Sequence, residues 1–192
     1  MTKPKRPTVR VFVEEELAEG QSLVLPEAPS HYLRNVMRKS VGDTIGLFNG
    51  RSAEFAATLT KVGKKAVEVD IGAVVARFAP LEGLTLLFSP IKRSPMELLI
   101  AKATELGVTD FQPVLMEHTQ SERMKIERLV SIAVEAAEQC ERLTVPTFHD
   151  AKPLKAAVET FDGAMGSAFE TSEFRPLRAV MTDDGPVPGL VI

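Results

Sequence analysis

The sequence predicts an α+β protein of two domains, a small β-barrel followed by an α/β layer. Up to about Ala76 the chain is cut by Gly, Asn-Gly and Lys-Lys turns into many short alternating runs, with one short helical pattern among them. Beyond residue 83, near-continuous apolar runs alternate with helix-period runs, the pattern of a parallel sheet. Between the two, RFAPLEG carries the Pro and Gly of a linker. The boundaries so drawn are 1–76 for the barrel, 77–83 for the linker and 84–192 for the α/β domain.

In the first domain VRVFV and QSLVLP are alternating strands. HYLRNVMRK places Leu33, Val36 and Met37 at helical spacing and predicts one amphipathic helix with its basic residues opposite. GDTIGLFNG, AEFAATLTKVG and KAVEVDIGAVV follow as strands. In the second domain LTLLFSP is an apolar strand. The helix after it is expected to start on Ser94 as cap, with Pro95 first and Glu97 closing a capping box. Its stripe is Met96, Leu99, Ile100, Ala103 and Leu106, and Gly107 stops it. VTDFQPVLM is a strand, 124–143 a second helix, VPTFHD a strand and KPLKAAVE a short helix; AMGSAFE and GLVI are the last strands. The end inside GLVI, an apolar strand with nothing after it to cover the sheet, predicts an incomplete domain.

Composition narrows the class. At 192 residues, 44% hydrophobic and 26% charged, with mean hydropathy +0.02, the chain has the profile of a globular protein. No apolar run reaches the ~20 residues a spanning helix needs, and no secretory signal is visible, so a cytoplasmic protein is expected. The one cysteine, Cys140, suits a reducing compartment; it falls on the apolar side of its helix and is expected to be buried. His31, His118 and His149 match no metal-ligand spacing, so no metal site is expected. Net charge is −3, which argues against nucleic-acid binding over the whole surface. Basic residues nonetheless cluster early: Lys3, Lys5, Arg6 and Arg10, then Arg34, Arg38 and Lys39. They are either a solvated face or a phosphate-binding patch.

No glycine-rich nucleotide loop, GxSxG, CxxC or HExxH is present. The informative polar residues lie on well-formed helices. Lys92 and Arg93 fall at the carboxyl end of a strand, where open sheets place their ligands. In VEAAEQCERLTVP, Leu129, Ile132, Ala133, Ala136, Cys140 and Leu143 make a core stripe. Glu135, Gln139 and Arg142 border it, so their polar groups need partners. Two readings stay open there, an internal hydrogen-bond network and the wall of a site.

KRSPMELLIAKATELGVTDFQPV, then TQSER, then ERLVSIAVEAAEQCERLTVP closely resembles the ribosomal small-subunit methyltransferase E family. The pattern K-x-x-E-L-G-V stands here as Lys102, Glu105, Leu106, Gly107 and Val108. The pattern E-A-x-E-Q-x-x-R-x-x-V-P stands as Glu135, Ala136, Glu138, Gln139, Arg142, Val145 and Pro146. PTVRVFV, HYLRNVMR and VGDTIGLFNG are similar to that family's opening domain. The resemblance implies a PUA-like RNA-binding barrel and a SPOUT-class, trefoil-knot domain. It implies methylation of a uridine N3 in 16S rRNA with S-adenosylmethionine, and action as a homodimer on the small ribosomal subunit. It implies that Lys92, Arg123, Gln139 and Arg142 line the place where base and cofactor meet. On the same basis Phe169 and Glu170 lie toward the cofactor, and Lys3, Lys5, Arg6, Arg10, Arg34, Arg38 and Lys39 contact phosphate. The family's Gly-rich knot loop and its later L-R-x-E-T-A segment have no counterpart in these 192 residues. The resemblance therefore implies that this stretch alone binds the cofactor poorly and has little activity. The competing reading is a non-catalytic RNA- or ribosome-binding protein without a knot.

Overall fold

Alternation in VRVFV sends Val9, Val11 and Val13 into one core and leaves Arg10 and Phe12 on the opposite side of strand β1 (Arg10–Phe12). In the computed structural model, which describes residues 6–81, 83–116, 124–161, 165–167 and 189–191, this strand opens a five-stranded sheet. Its other members are β2 (Ser22–Val24), β3 (Thr44–Phe48), β4 (Glu54–Val62) and β5 (Val67–Ala76), in the order β1-β3-β4-β5-β2. β1 and β3 are parallel and the other pairs antiparallel. Among the described strands this is an open path, with β1 and β2 at its ends, around a core that includes Val11, Leu33, Ile45, Leu47, Leu59 and Val69. Register shifts along β4 and β5 bend the long hairpin.

The expected helix at HYLRNVMRK is displaced. Helix α1 covers Glu27–His31, and Tyr32–Val36 forms a π turn closed by the Met37 amide donating to the Tyr32 carbonyl at 2.9 Å. The wider turn rotates the following residues off the core face. Leu33 is buried, but Val36 is 60% exposed and Met37 36%. Buried Ser30 ties α1 to the sheet. Its hydroxyl donates to the Leu25 carbonyl and accepts from the Val67 amide, both at 3.0 Å.

The chain divides into two units, Met1–Pro80 with Ala137–Thr144, and Leu81–Ala136 with Val145–Ile192. The second is built on β6 (Thr85–Phe88), α2 (Arg93–Glu105), β7 (Asp110–Leu115) and α3 (Ile126–Gln139). Smaller elements follow: β8 (Thr147–Phe148), β9 (Lys152–Pro153), α4 (Leu154–Glu159), β10 (Met165–Ser167) and β11 (Gly189–Val191). The strands are parallel in the order β10-β11-β6-β7-β8, and β9 also pairs with β7. Apolar strand residues serve both faces. Leu86, Phe88 and Phe111 pack with Met96, Ile100 and Ala133 of the helices, while Leu87 and Val114 pack with Ala157.

Helix α2 starts two residues earlier than the capping signal implies. Lys92 is the cap residue, without a side-chain cap bond, and Ser94 and Pro95 lie inside the first turn. Pro95 costs nothing there because first-turn amides have no helical partner. Gly107 does end the helix. At φ 100° it supports a closing motif in which the Val108 amide reaches the Ala103 carbonyl at 3.0 Å. Leu106, placed in the apolar stripe by periodicity, sits on that turn and is 82% exposed. Among the described residues no helix is long and apolar enough to cross a membrane.

Candidate functional site

In the first unit the polar side of β1 meets residues 137–144. Arg10 is 4% exposed and Glu54 0%. The Arg10 Nε donates to Glu54 Oε1 at 3.1 Å. Its Nη1 donates to the carbonyls of Ala137 and Glu138 at 2.8 and 2.9 Å, and its Nη2 to that of Arg142 at 2.9 Å. Its guanidinium carbon lies 4.4 Å from the Phe48 ring centre. Arg6 donates to Glu54 Oε2 from Nε and Nη2 at 2.8 and 2.6 Å, and to Glu141 Oε2 from Nη1 at 2.5 Å. The Phe12 amide donates to Glu138 Oε1 at 2.9 Å. Gly46 makes the pocket possible, because a Cβ there would run into the Glu54 carboxylate. Two arginines thus share one buried acid, and one of them caps the carbonyl end of α3, where a cation also suits the helix dipole.

This corrects the expectation that Arg10 contacts phosphate. It is buried, and four of its donors are spent inside the protein. Arg6 is largely committed to the same network, with 26% side-chain exposure. Arg34 is half-buried, donating to the carbonyls of Gly63 and Lys64 in the β4–β5 turn. That tether sets the exposed Lys64 and Lys65 beside it. Those two lysines were legible only as turn residues. Arg38 is exposed, with φ 50°, and Lys39 is half-buried. Lys3 and Lys5 lie outside the described residues.

In the second unit a cleft of about 440 Å³ opens just past the carboxyl end of β6. Pro90, Ile91, Met96, Met124 and Leu129 supply apolar lining, and Arg93, Glu97, Lys125 and Arg128 supply charge. Glu97 Oε1 accepts from Arg93 Nε at 2.9 Å and from Arg128 Nε at 3.4 Å. The hydrogen bond from Arg93, then that from Arg128, holds the Glu97 carboxyl below its ordinary pKa, and the Glu97 bond raises Arg128 in turn. With three cations against one acid, the lining is net positive over an apolar floor. Strand order also reverses here: β7 follows on one side of β6, whereas the later β11 lies on the other. Ligands of open parallel sheets bind at such a reversal, outside the carboxyl ends of the strands. Periodicity could not find this cleft, since its lining comes from residues 90–97 and 124–129, two stretches far apart in sequence.

Lys92 is exposed, next in sequence to the cleft residues Ile91 and Arg93. Gln139 and Arg142 belong to the first unit, with Gln139 exposed and Arg142 half-buried and donating from Nε to Thr144 Oγ1 at 2.6 Å. Glu135 is exposed, with Arg128 Nη1 at 3.9 Å, and is not at a half-buried border. Cys140 is exposed rather than buried, because α3 ends at Gln139 and the chain turns at Glu141, φ 62°. Lys102 and Glu105 pair on the surface at 2.8 Å. Arg123, Phe169 and Glu170 lie outside the described residues. Among the described residues no group of three or more His, Cys, Asp or Glu could hold a metal ion.

Residues 79–185 match the model of an RNA methyltransferase domain, and residues 25–72 that of an RNA methyltransferase PUA domain. The chain belongs to the RNA methyltransferase domain family. It is similar to the ribosomal RNA small subunit methyltransferase E of Rickettsia conorii, with 34% identity over 143 residues, 74% of this chain and 59% of that protein. The protein of the same name from Buchnera aphidicola (strain APS) is 29% identical over 71% of this chain and 57% of its own length. The chain thus spans under two thirds of the length of both relatives. A crystal structure of a ribosomal RNA small subunit methyltransferase E from Neisseria gonorrhoeae, bound to S-adenosyl methionine, aligns with a TM-score of 0.80 at 26% identity. That alignment covers 97% of this chain and 79% of that one. A putative methyltransferase from Legionella pneumophila, in complex with the same cofactor, gives a TM-score of 0.80 at 26% identity over 96% and 79%. The architecture is therefore that of this family, a PUA-like domain followed by a SPOUT-type methyltransferase fold.

Proposed function

We propose that the protein containing this chain methylates N3 of a uridine in 16S rRNA of the small ribosomal subunit, using S-adenosylmethionine, as a cytoplasmic homodimer. The observation that carries this reading is the likeness of nearly the whole chain to methyltransferase E structures that hold the cofactor. The cleft past β6 fits the chemistry. Its floor of Met96, Met124 and Leu129 suits the flat face of a base, and Arg93, Lys125 and Arg128 suit the attached phosphate. The carboxyl ends of the parallel neighbours β6 and β11, where the strand order reverses, suit a nucleoside cofactor; Phe169 and Glu170 are assigned to it on the family resemblance alone. When bound, S-adenosylmethionine supplies a methyl group on a positively charged sulfur.

The protein's own task is positioning and control of one proton. Uracil N3 attacks only after losing its proton and only in line with the methyl carbon. The target base has to leave any stack to reach the cleft. Lys92, Arg123, Gln139 and Arg142 are the side chains we assign to the reactants. A cation among them would favour the N3 anion. We assign Arg34, Arg38, Lys39, Lys64 and Lys65 to RNA contact, together with Lys3 and Lys5 of the basic N-terminal run, while Arg6 and Arg10 serve the structure. Mass spectrometry of 16S rRNA from a strain lacking the gene should lose one methyluridine, restored by the complete gene. Unchanged rRNA modification in that strain would refute the function.

A further inference from the structure

The Arg10–Glu54 pair is more elaborate than the stability of its sheet needs. A buried arginine and acid can usually be replaced by apolar side chains of similar size without loss of stability. Here the pair faces away from the hydrophobic core of its own sheet and grips a segment far along the chain, Ala137 lying 127 positions after Arg10. The grip falls on backbone. Arg10 takes the last helical carbonyls, of Ala137 and Glu138, and then the Arg142 carbonyl beyond the turn. The stretch between includes Glu141 at φ 62°, a conformation disfavoured for a side chain other than glycine. Arg6 holds that residue at both ends, through its carboxylate and through its carbonyl at 2.9 Å. A left-handed residue clamped on both sides fixes the direction in which Gln139 and Arg142 leave the backbone.

We propose that Arg10, oriented by Glu54, is a positioning residue for methyl transfer: it locks residues 137–142 so that Gln139 and Arg142 are presented in one geometry. This rests on the reading that Gln139 and Arg142 act on the reactants. Lysine at position 10 keeps the charge beside Glu54 but lacks the planar fork that serves three carbonyls at once. In the full-length protein, with small subunits lacking the modification as acceptor, Arg10→Lys is expected to lower kcat by about tenfold to a hundredfold, the range that a shift of ~1 Å in reacting groups costs. The KM for S-adenosylmethionine should stay within about twofold, since the locked segment acts on geometry rather than uniform binding. In a background carrying both Gln139→Ala and Arg142→Ala the same change should lower kcat by less than about twofold, because the side chains it positions are gone and residues acting as one unit are not additive. Glu54→Gln repeats the test should Arg10→Lys not fold. A folded Arg10→Lys protein with normal kcat, or a further loss of full size when Gln139 and Arg142 are both already alanine, overturns the proposal. Normal kcat in both Gln139→Ala and Arg142→Ala overturns the site reading beneath it, whatever Arg10 does.

Discussion

Replacing Arg10 by methionine tests the buried network as structure, apart from any role in catalysis. The change deletes the bond to Glu54, the three bonds to the carbonyls of Ala137, Glu138 and Arg142, and the stacking on Phe48. It leaves Glu54 fully buried but still accepting two bonds from Arg6. Removing one member of a buried pair costs about 3–5 kcal/mol, and the surviving Arg6 bonds place this case near the lower end, at about 3–4 kcal/mol. At about 2–4 °C per kcal/mol for a chain of this size, the thermal midpoint should fall by about 6–16 °C. Urea unfolding followed by far-ultraviolet circular dichroism reads the loss directly. Adding Glu54→Met should cost less in the variant than in the wild type, with a coupling of about 1–3 kcal/mol. A loss under ~1 kcal/mol for Arg10→Met, or strict additivity in the double variant, would refute the reasoning, because exposed ion pairs behave that way.

Three further outcomes follow from the same structure. Ser30→Ala strands the Val67 amide and should cost about 1–3 kcal/mol in urea unfolding, with Ser30→Thr the control that retains a hydroxyl. Because Arg93 and Arg128 hold the Glu97 pKa down from 4.5, its contribution to stability is fully present above that value and is lost as pH falls through the lower folded one. The stability gap between wild type and Glu97→Gln should therefore close as pH falls below the ordinary glutamate range, and a gap that stayed constant would remove the assigned cause. The exposed Cys140 thiol should react with Ellman's reagent in the folded protein at a rate near that of the unfolded chain, and a protected thiol would contradict the end of α3.

What the sequence made legible was what each element does by itself. The apolar run LTLLF became β6 because side chains on both of its faces are buried, and Gly107 ended α2 because only a residue at home with positive φ closes that turn. The stripe Leu129, Ile132, Ala133 and Ala136 is buried as periodicity demands. Periodicity failed where an element stopped or changed pitch. Val36 and Met37 were turned outward by a π turn, and Leu106 and Cys140 sit past the last regular turn of their helices. It also had no access to long-range pairing. Nothing local to Arg10 marks it as the cap of a helix end more than a hundred residues away, so its charge read as surface charge. A faint signal existed, since an arginine between Val9 and Val11 on a strand whose alternate residues are buried must spend its donors somewhere.

The central claim is methyl transfer to a uridine of 16S rRNA. Its most direct test is incubation of the full-length protein with methyl-labelled S-adenosylmethionine and small subunits from a strain lacking the gene, followed by nucleoside analysis of the recovered rRNA. The expected result is label in 3-methyluridine at a single position, reduced at least about tenfold by Arg142→Ala. Label in another nucleoside, or tight binding to the subunit with no label transferred, would contradict it.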